Sequence, residues 1–449
     1  MNSNSKTVGL ISLGCSKNLV DSEVMLGLLQ GAGYGITSDI TDADAVIVNT
    51  CGFLGAAVEE SLQTLEEVEA LKRDGKCQVV VAAGCLPVRD SDLIKMRIPG
   101  VDAIVGTNDF PGIVKTLNNA FNINNSPSNG TGLIQLSVTP HEKHTYVYDH
   151  TTPRLRSTAP WTAFIKIAEG CDHSCSFCII PQLRGPFRSR EIESIVIEAR
   201  QLAQSGAREV VLVAQDSTRY GLDLYHKWAL GDLLQELSKI EELNWVRVLY
   251  AYPSQVNDSF IDALTQAPRI ARYLDIPLQH ANKRILARMR RGGHTASYAK
   301  LLDRFRAKCP EISIRTSFIV GFPGETQQHF DELLGFVKDQ EFDRIGVFKY
   351  SDEDSALSFG LDCKVDQEVI EERYHILQQA QQKISLRKNR AWIGKNLDIL
   401  LETEENGGLV GRSYRDAPDI DGNVLVKMNA RQNREHSPGD MVSVKITGA

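Results

Sequence analysis

Short apolar runs alternate with amphipathic stretches through the first part of the chain. An apolar run at 8–13 ends in Gly14-Cys15, and a stretch with helical spacing at 19–30 is stopped by Gly31 and Gly33. A second run at 45–48 ends in Asn49-Thr50-Cys51 and leads into a helical stretch at 56–72, closed by Asp74-Gly75. A third run at 79–83 ends in Gly84-Cys85, and a fourth at 101–105 ends in Gly106. Continuous apolar strands separated by helices predict a parallel sheet covered on both faces. From about Asn118 to Pro160 the pattern breaks, and 122–130 is turn chemistry. That region reads as a linker with one hairpin.

A second series then predicts strands at 164–167, 209–213, 245–249, 273–276, 312–318 and 344–348, with helices such as 191–204 and 230–239 between them. Six such units suit an open, partial barrel rather than a closed eight-stranded one. A long polar-faced helix follows at 367–388. The segments 397–401, 424–427 and 441–446 alternate apolar and polar, and Gly407-Gly408 and Gly439 punctuate them, as in a small all-β module. The expected fold is therefore α/β and multidomain. It comprises an N-terminal α/β domain (1–121), a linker (122–156), a partial (β/α)6 barrel (157–385) and a small β domain (386–449).

Composition narrows the function. The chain has 449 residues, 42% of them hydrophobic and 24% charged, so it has material for several packed cores. Fifty basic against 57 acidic residues leave a net charge of −7, which does not suit bulk phosphate neutralisation. The start does not read as a signal peptide and no apolar stretch of ~20 residues exists, so a cytoplasmic protein off the membrane is expected. Nine cysteines in a reducing compartment read as metal ligands or catalytic groups before disulfides.

Two cysteine sets stand out. Cys171, Cys175 and Cys178 lie in one loop after the first barrel strand. Thiolates are the ligands of iron–sulfur clusters. A four-iron cube held by three of them keeps one iron open for a chelating substrate, such as the amino and carboxylate groups of S-adenosylmethionine. The alternative is zinc with His173 as fourth ligand. Cys15, Cys51 and Cys85 each follow an apolar strand directly, at intervals of 36 and 34 residues. Parallel strands end on one edge, where ligands of open α/β sheets bind. The three thiols are therefore expected to converge on a metal, with small neighbours Gly14, Asn49, Thr50, Gly52 and Gly84 leaving room. Cys77, Cys309 and Cys363 read as ordinary interior or surface residues.

The C-x-x-x-C-x-x-C spacing with Phe177 before the last cysteine resembles the radical S-adenosylmethionine superfamily. Across nearly the whole chain, the two cysteine sets and the terminal β module are similar to the methylthiotransferases. The stretches Ser12 to Asp21, Leu274 to His280, Arg288 to Arg291 and Gly411 to Gly422 resemble the branch that modifies an aspartate of a small-subunit ribosomal protein.

The resemblance implies two four-iron, four-sulfur clusters, an auxiliary one on Cys15, Cys51 and Cys85 and a radical-generating one on Cys171, Cys175 and Cys178. It also implies a terminal domain of the TRAM type. One S-adenosylmethionine would methylate sulfur at the auxiliary cluster. A second would yield the 5′-deoxyadenosyl radical that takes the β-hydrogen of the aspartate, with both clusters facing one cavity. No side chain is assigned as general base. Phe177, Gln215, Asp216, Arg315, Gly321 and Glu325 are the candidate cofactor contacts, although the turn at 321–325 also reads as a tight βα connection.

The near-neutral terminal module, with Asp416, Asp419 and Asp421 in one loop, is read as suiting a basic ribosomal protein, free or on the ribosome, better than transfer RNA; a solvated turn is the alternative. The basic run Arg284, Arg288, Arg290 and Arg291 reads as a solvated face able to touch ribosomal RNA. An electron donor and a sulfur donor are required partners. Two other readings stand beside this one: a transfer RNA adenosine methylthiotransferase, and a non-enzymatic iron–sulfur or RNA-binding protein.

Overall fold

The computed structural model describes residues 6–124, 135–405, 408–427 and 436–449. It divides into two compact units. The first holds residues 1–157, 168–174 and 178–190, and the second holds 158–167, 175–177 and 191–449.

The first unit is built on six parallel strands: β1 (Thr7–Ser12), β2 (Gly35–Ile36), β3 (Ala45–Thr50), β4 (Val79–Gly84), β5 (Ala103–Gly106) and β6 (Gln135–Ser137). Their order is β2-β1-β3-β4-β5-β6. Every residue of β3, β4 and β5 is buried, as strands covered on both faces require. Helices Ser16–Gly31, Gly55–Asp74, Cys85–Arg97 and Ile113–Asn124 make the connections.

One expectation fails here. Gln135–Ser137 is not part of a hairpin; it extends the sheet parallel to β5, with Ala103 opposite Gln135. A strand of three half-exposed residues at a sheet edge carries no apolar run by which to recognise it. Residues 122–124 end a helix, and the rest of the turn-rich segment, 125–130, lies outside the described residues. A short antiparallel pair, β8 (Ala168–Glu169) with β9 (Arg188–Ser189), also belongs to this unit.

The second unit carries six barrel strands in two parallel sheets. β7 (Thr162–Lys166), β10 (Glu209–Val213) and β11 (Trp245–Val248) run in the order β11-β10-β7, and β12 (Tyr273–Asp275), β13 (Ser313–Val320) and β14 (Arg344–Lys349) in chain order. A parallel bridge between Val246 and Ile270 joins the two near β12. The helix Gln367–Arg390 then leads to an antiparallel sheet of β15 (Asn396–Glu405), β16 (Gly408–Ser413), β17 (Val424–Val426) and β18 (Met441–Lys445), ordered β17-β16-β15-β18.

The loop after β16 docks on the starting ends of the barrel strands. Glu209, the first residue of β10, accepts from Arg247 Nε and Arg412 Nη2, each at 2.7 Å, with all three side chains essentially buried. Arg344 pairs with Asp416 at 2.6 Å and Arg415 with Asp343 at 2.8 Å. The Tyr273 hydroxyl donates to Asp421 Oδ2 at 2.5 Å. The acidic loop is therefore no docking surface for a basic partner, nor a solvated turn. Asp416 and Asp421 are consumed inside the protein, and only Asp419 faces solvent. Among the described residues, no helix is long and apolar enough to cross a membrane.

Candidate active site

The three strand-end cysteines converge within the first unit. Asn18, at the start of the helix Ser16–Gly31, is the hub. Its Nδ2 donates to the carbonyl of Leu13 and to that of Thr50, both at 3.0 Å, which ties the ends of β1 and β3 together. Its Oδ1 accepts from the Cys85 thiol at 3.7 Å. Gly14 adopts φ +86, and a Cβ there would sit 3.2 Å from Cys51 Sγ. Gly84, just before Cys85, adopts φ +99, and its Cβ would fall 2.6 Å from the Thr50 carbonyl oxygen. Only glycine lets the chain turn this tightly with the sulfurs crowded together.

The thiols differ electrostatically. Burial pushes the Cys85 thiol up to about 12, and the neighbouring Cys15 and Cys51 push the same way against the pull of Arg184. Burial also raises Cys51. Cys15 is exposed to solvent at the sheet edge. Desolvation there opposes its thiolate, yet the charges of Lys17 and Arg184 and the amides of Asn18 and Lys17 outweigh it and lower the pKa.

Of the second cysteine set, Cys171 and Cys178 belong to the first unit and Cys175 to the second. In the first unit the Cys171 amide donates to the Gly185 carbonyl at 3.1 Å. In the second, Arg291 Nη1 donates to Cys175 Sγ at 3.7 Å and Nη2 to the Pro277 carbonyl at 2.8 Å. The Arg291 guanidinium also lies over the Tyr252 ring, 4.1 Å from its centre. Arg291 is therefore no solvated residue of a basic face, whereas Arg284 and Arg290 are exposed. Phe177 meets Phe322 edge-on at 6.5 Å, and Phe322 meets Tyr350 at 5.2 Å, forming an aromatic wall beside Cys175 in the chain.

The remaining candidates are largely occupied. Asp216 caps a short 3-10 turn by accepting from the amides of Thr218 and Arg219, and Gln215 adjoins it at the end of β10. Arg315 pairs with Asp275 at 2.8 Å and lies 3.6 Å from Asp421 of the docked loop. Buried Glu325 accepts from the Gly321 amide at 3.0 Å and from Arg373 at 2.8 Å, as a tight βα connection requires.

Comparison with known proteins decides the family. Residues 7–106 match the Uncharacterized protein family UPF0004, 165–337 the Radical SAM superfamily and 393–449 the TRAM domain. A curated relative from Desulforamulus reducens, named ribosomal protein uS12 methylthiotransferase RimO, is 44% identical over 99% of this chain and 97% of its own. One of the same name from Syntrophotalea carbinolica is 44% identical over 98% of this chain and 94% of its own. The chain belongs to the radical S-adenosylmethionine methylthiotransferase family.

The superfamily to which this methylthiotransferase belongs is one of S-adenosylmethionine-using, four-iron, four-sulfur enzymes. Solved structures agree at the level of fold. The radical S-adenosylmethionine methyltransferase TsrM from Kitasatospora setae covers 77% of this chain, with 75% of its own length matched, at 16% identity and TM-score 0.57. The cobalamin-dependent radical enzyme OxsB covers 85%, with 56% of its own length matched, at 12% identity and TM-score 0.52.

The donor chemistry of the first trio fits a cluster. The thiols sense one another electrostatically. Among the described residues no three His, Cys, Asp or Glu side chains are already gathered as the ligands of a metal ion.

Proposed function

We propose that the protein is a cytoplasmic enzyme that methylthiolates the β-carbon of an aspartate in the small-subunit ribosomal protein uS12, using two S-adenosylmethionine molecules, a sulfur source and reductant. The observation that carries this reading is the convergence of Cys15, Cys51 and Cys85 around Asn18, in a chain that also bears the Cys171–Cys178 loop. The full-length similarity to the uS12-modifying relatives supports the substrate. The preference over transfer RNA rests on that similarity and no longer on the acidic loop.

Cys171, Cys175 and Cys178 would hold the radical-generating cluster, and Cys15, Cys51 and Cys85 an auxiliary one. When bound, the clusters and S-adenosylmethionine supply the carbon radical and the sulfur chemistry. The protein's part is placement. Half-buried Phe177, backed edge-on by buried Phe322, would offer an apolar face to an adenine ring. Arg291 gives Cys175 a charge-assisted donor and is itself locked by Tyr252 and Pro277. A β-carbon hydrogen is not acidic enough for base chemistry at pH 7, so no side chain need serve as a base.

The test is anaerobic turnover of reduced, iron-loaded protein with S-adenosylmethionine and either uS12 or transfer RNA. The expected result is 5′-deoxyadenosine together with a mass gain of one methylthio group at an aspartate of uS12. A gain on transfer RNA alone would sink the substrate assignment. Cys51→Ala is expected to lower iron from about eight to about four per chain and to abolish methylthiolation while 5′-deoxyadenosine still forms.

A further inference from the structure

Arg184 belongs to the segment that follows Cys178 in the chain, far in sequence from the strands that carry the first cysteine trio. That segment is nevertheless folded into the first unit. The Thr107 hydroxyl, just past β5, donates to the Leu183 carbonyl at 2.8 Å. The guanidinium is 2% exposed. Its Nη1 donates to Asp21 Oδ2 at 2.7 Å and to Glu169 Oε2 at 3.1 Å. Its Nη2 donates to Asn18 Oδ1, the same oxygen that accepts from the Cys85 thiol.

A buried cation held by two carboxylates would ordinarily be an internal ion pair. Here its second nitrogen is directed past them, onto the residue at the centre of the cysteine trio. Three thiolates gathered at one sheet edge concentrate negative charge, and reduction of a cluster adds more. A fixed cation beside them favours the more negative state, and cluster potentials respond to net charge and to hydrogen bonding near the sulfurs.

We propose that Arg184 is a positioning residue of the auxiliary centre, which supplies its counter-charge and is aimed by Asp21, Glu169 and Asn18. The centre is then complete only when the 178–190 segment is folded against residues 7–106. This rests on the proposed auxiliary cluster.

The experiment uses the full chain with Cys171, Cys175 and Cys178 changed to Ala, so that only the first trio can hold iron. After anaerobic loading, iron and sulfide per chain are counted, and the midpoint potential is read from the reduced-cluster paramagnetic signal. Arg184→Met and Arg184→Lys are compared with the parent. The expected result is a reduction equilibrium about tenfold weaker in Arg184→Met, about 59 mV lower for one electron, with Arg184→Lys close to the parent. An Arg184→Met chain that keeps its iron and the parent's potential overturns the role of Arg184 alone. If Arg184→Met takes up no iron, iron uptake by Arg184→Lys supports the role of charge, and its failure there overturns it. A parent that binds no iron overturns the auxiliary cluster and this role together.

Discussion

At the scale of single residues, Asn18 does more than any one cysteine to bring the trio together. Its side chain satisfies two strand-end carbonyls and accepts from Cys85, and it is 1% exposed. Replacing it with Ala leaves two buried acceptors and Arg184 short of a partner. Asn18→Ala is expected to lose about 1–3 kcal/mol, seen as a lower thermal midpoint of the apo-protein. It should also lose iron from the auxiliary centre faster than wild type under a chelator. An unchanged midpoint with unchanged iron retention would mean that the cysteines hold their places unaided. Arg291 and Arg184 teach the complementary lesson. Arg291 reads as part of a solvated basic face in the sequence and Arg184 carries no signal there, yet both are turned inward onto cysteine-bearing segments.

At the scale of elements, the decisive units are strand–turn–helix joints. Cys85 begins a helix directly after β4, with Gly84 between sheet and helix at φ 99, ψ −144, a region open essentially to glycine alone. Gly84→Ala adds that backbone strain, about 1–3 kcal/mol, to a collision with the Thr50 backbone and Asn49. The expected outcome is a lower melting temperature and roughly halved iron per chain, measured by denaturation and iron assay.

These joints were legible because a parallel sheet buried on both faces writes itself as apolar runs, and a thiol placed directly after each run marks one edge. The six barrel strands were legible for the same reason. What escaped had no such signature. The three-residue β6 has no apolar run, and the partner of Gln135 lies across a helix and a turn-rich stretch. The aspartates of the terminal loop read as solvated because their partners are remote: Arg344 stands 72 positions from Asp416, and Tyr273 stands 148 from Asp421. Composition reports that charges are present; it does not report that each has been matched inside the fold.

At the scale of the whole molecule, the terminal β module is held to the barrel by charge. Glu209 is the shared anion of Arg247 and Arg412. Burial works against its carboxylate, but the two guanidiniums outweigh it and hold its pKa below the ordinary range. A carboxyl whose folded pKa is depressed contributes stability above its unfolded value, about 4.3, and loses it as pH falls through the folded value. Glu209→Gln should therefore cost about 3–5 kcal/mol at pH 7, because it leaves buried Arg247 without a carboxylate and Arg412 with Glu402 alone. The gap in thermal midpoint between wild type and variant should close below about pH 4.3. A gap of constant size across that range would show that the ion pairs are not what fastens the module.

The position of this fastening has a consequence for chimaeras. The module grips where the barrel strands begin, at Glu209 of β10, Tyr273 of β12 and Asp343 and Arg344 at the start of β14. A TRAM domain transplanted onto this barrel must bring its own equivalents of Arg412, Arg415 and Asp416 to meet Glu209, Asp343 and Arg344. Exchange of substrate preference by domain swapping would then have to carry both halves of the joint, or the hybrid would come apart at the seam before its specificity could be read.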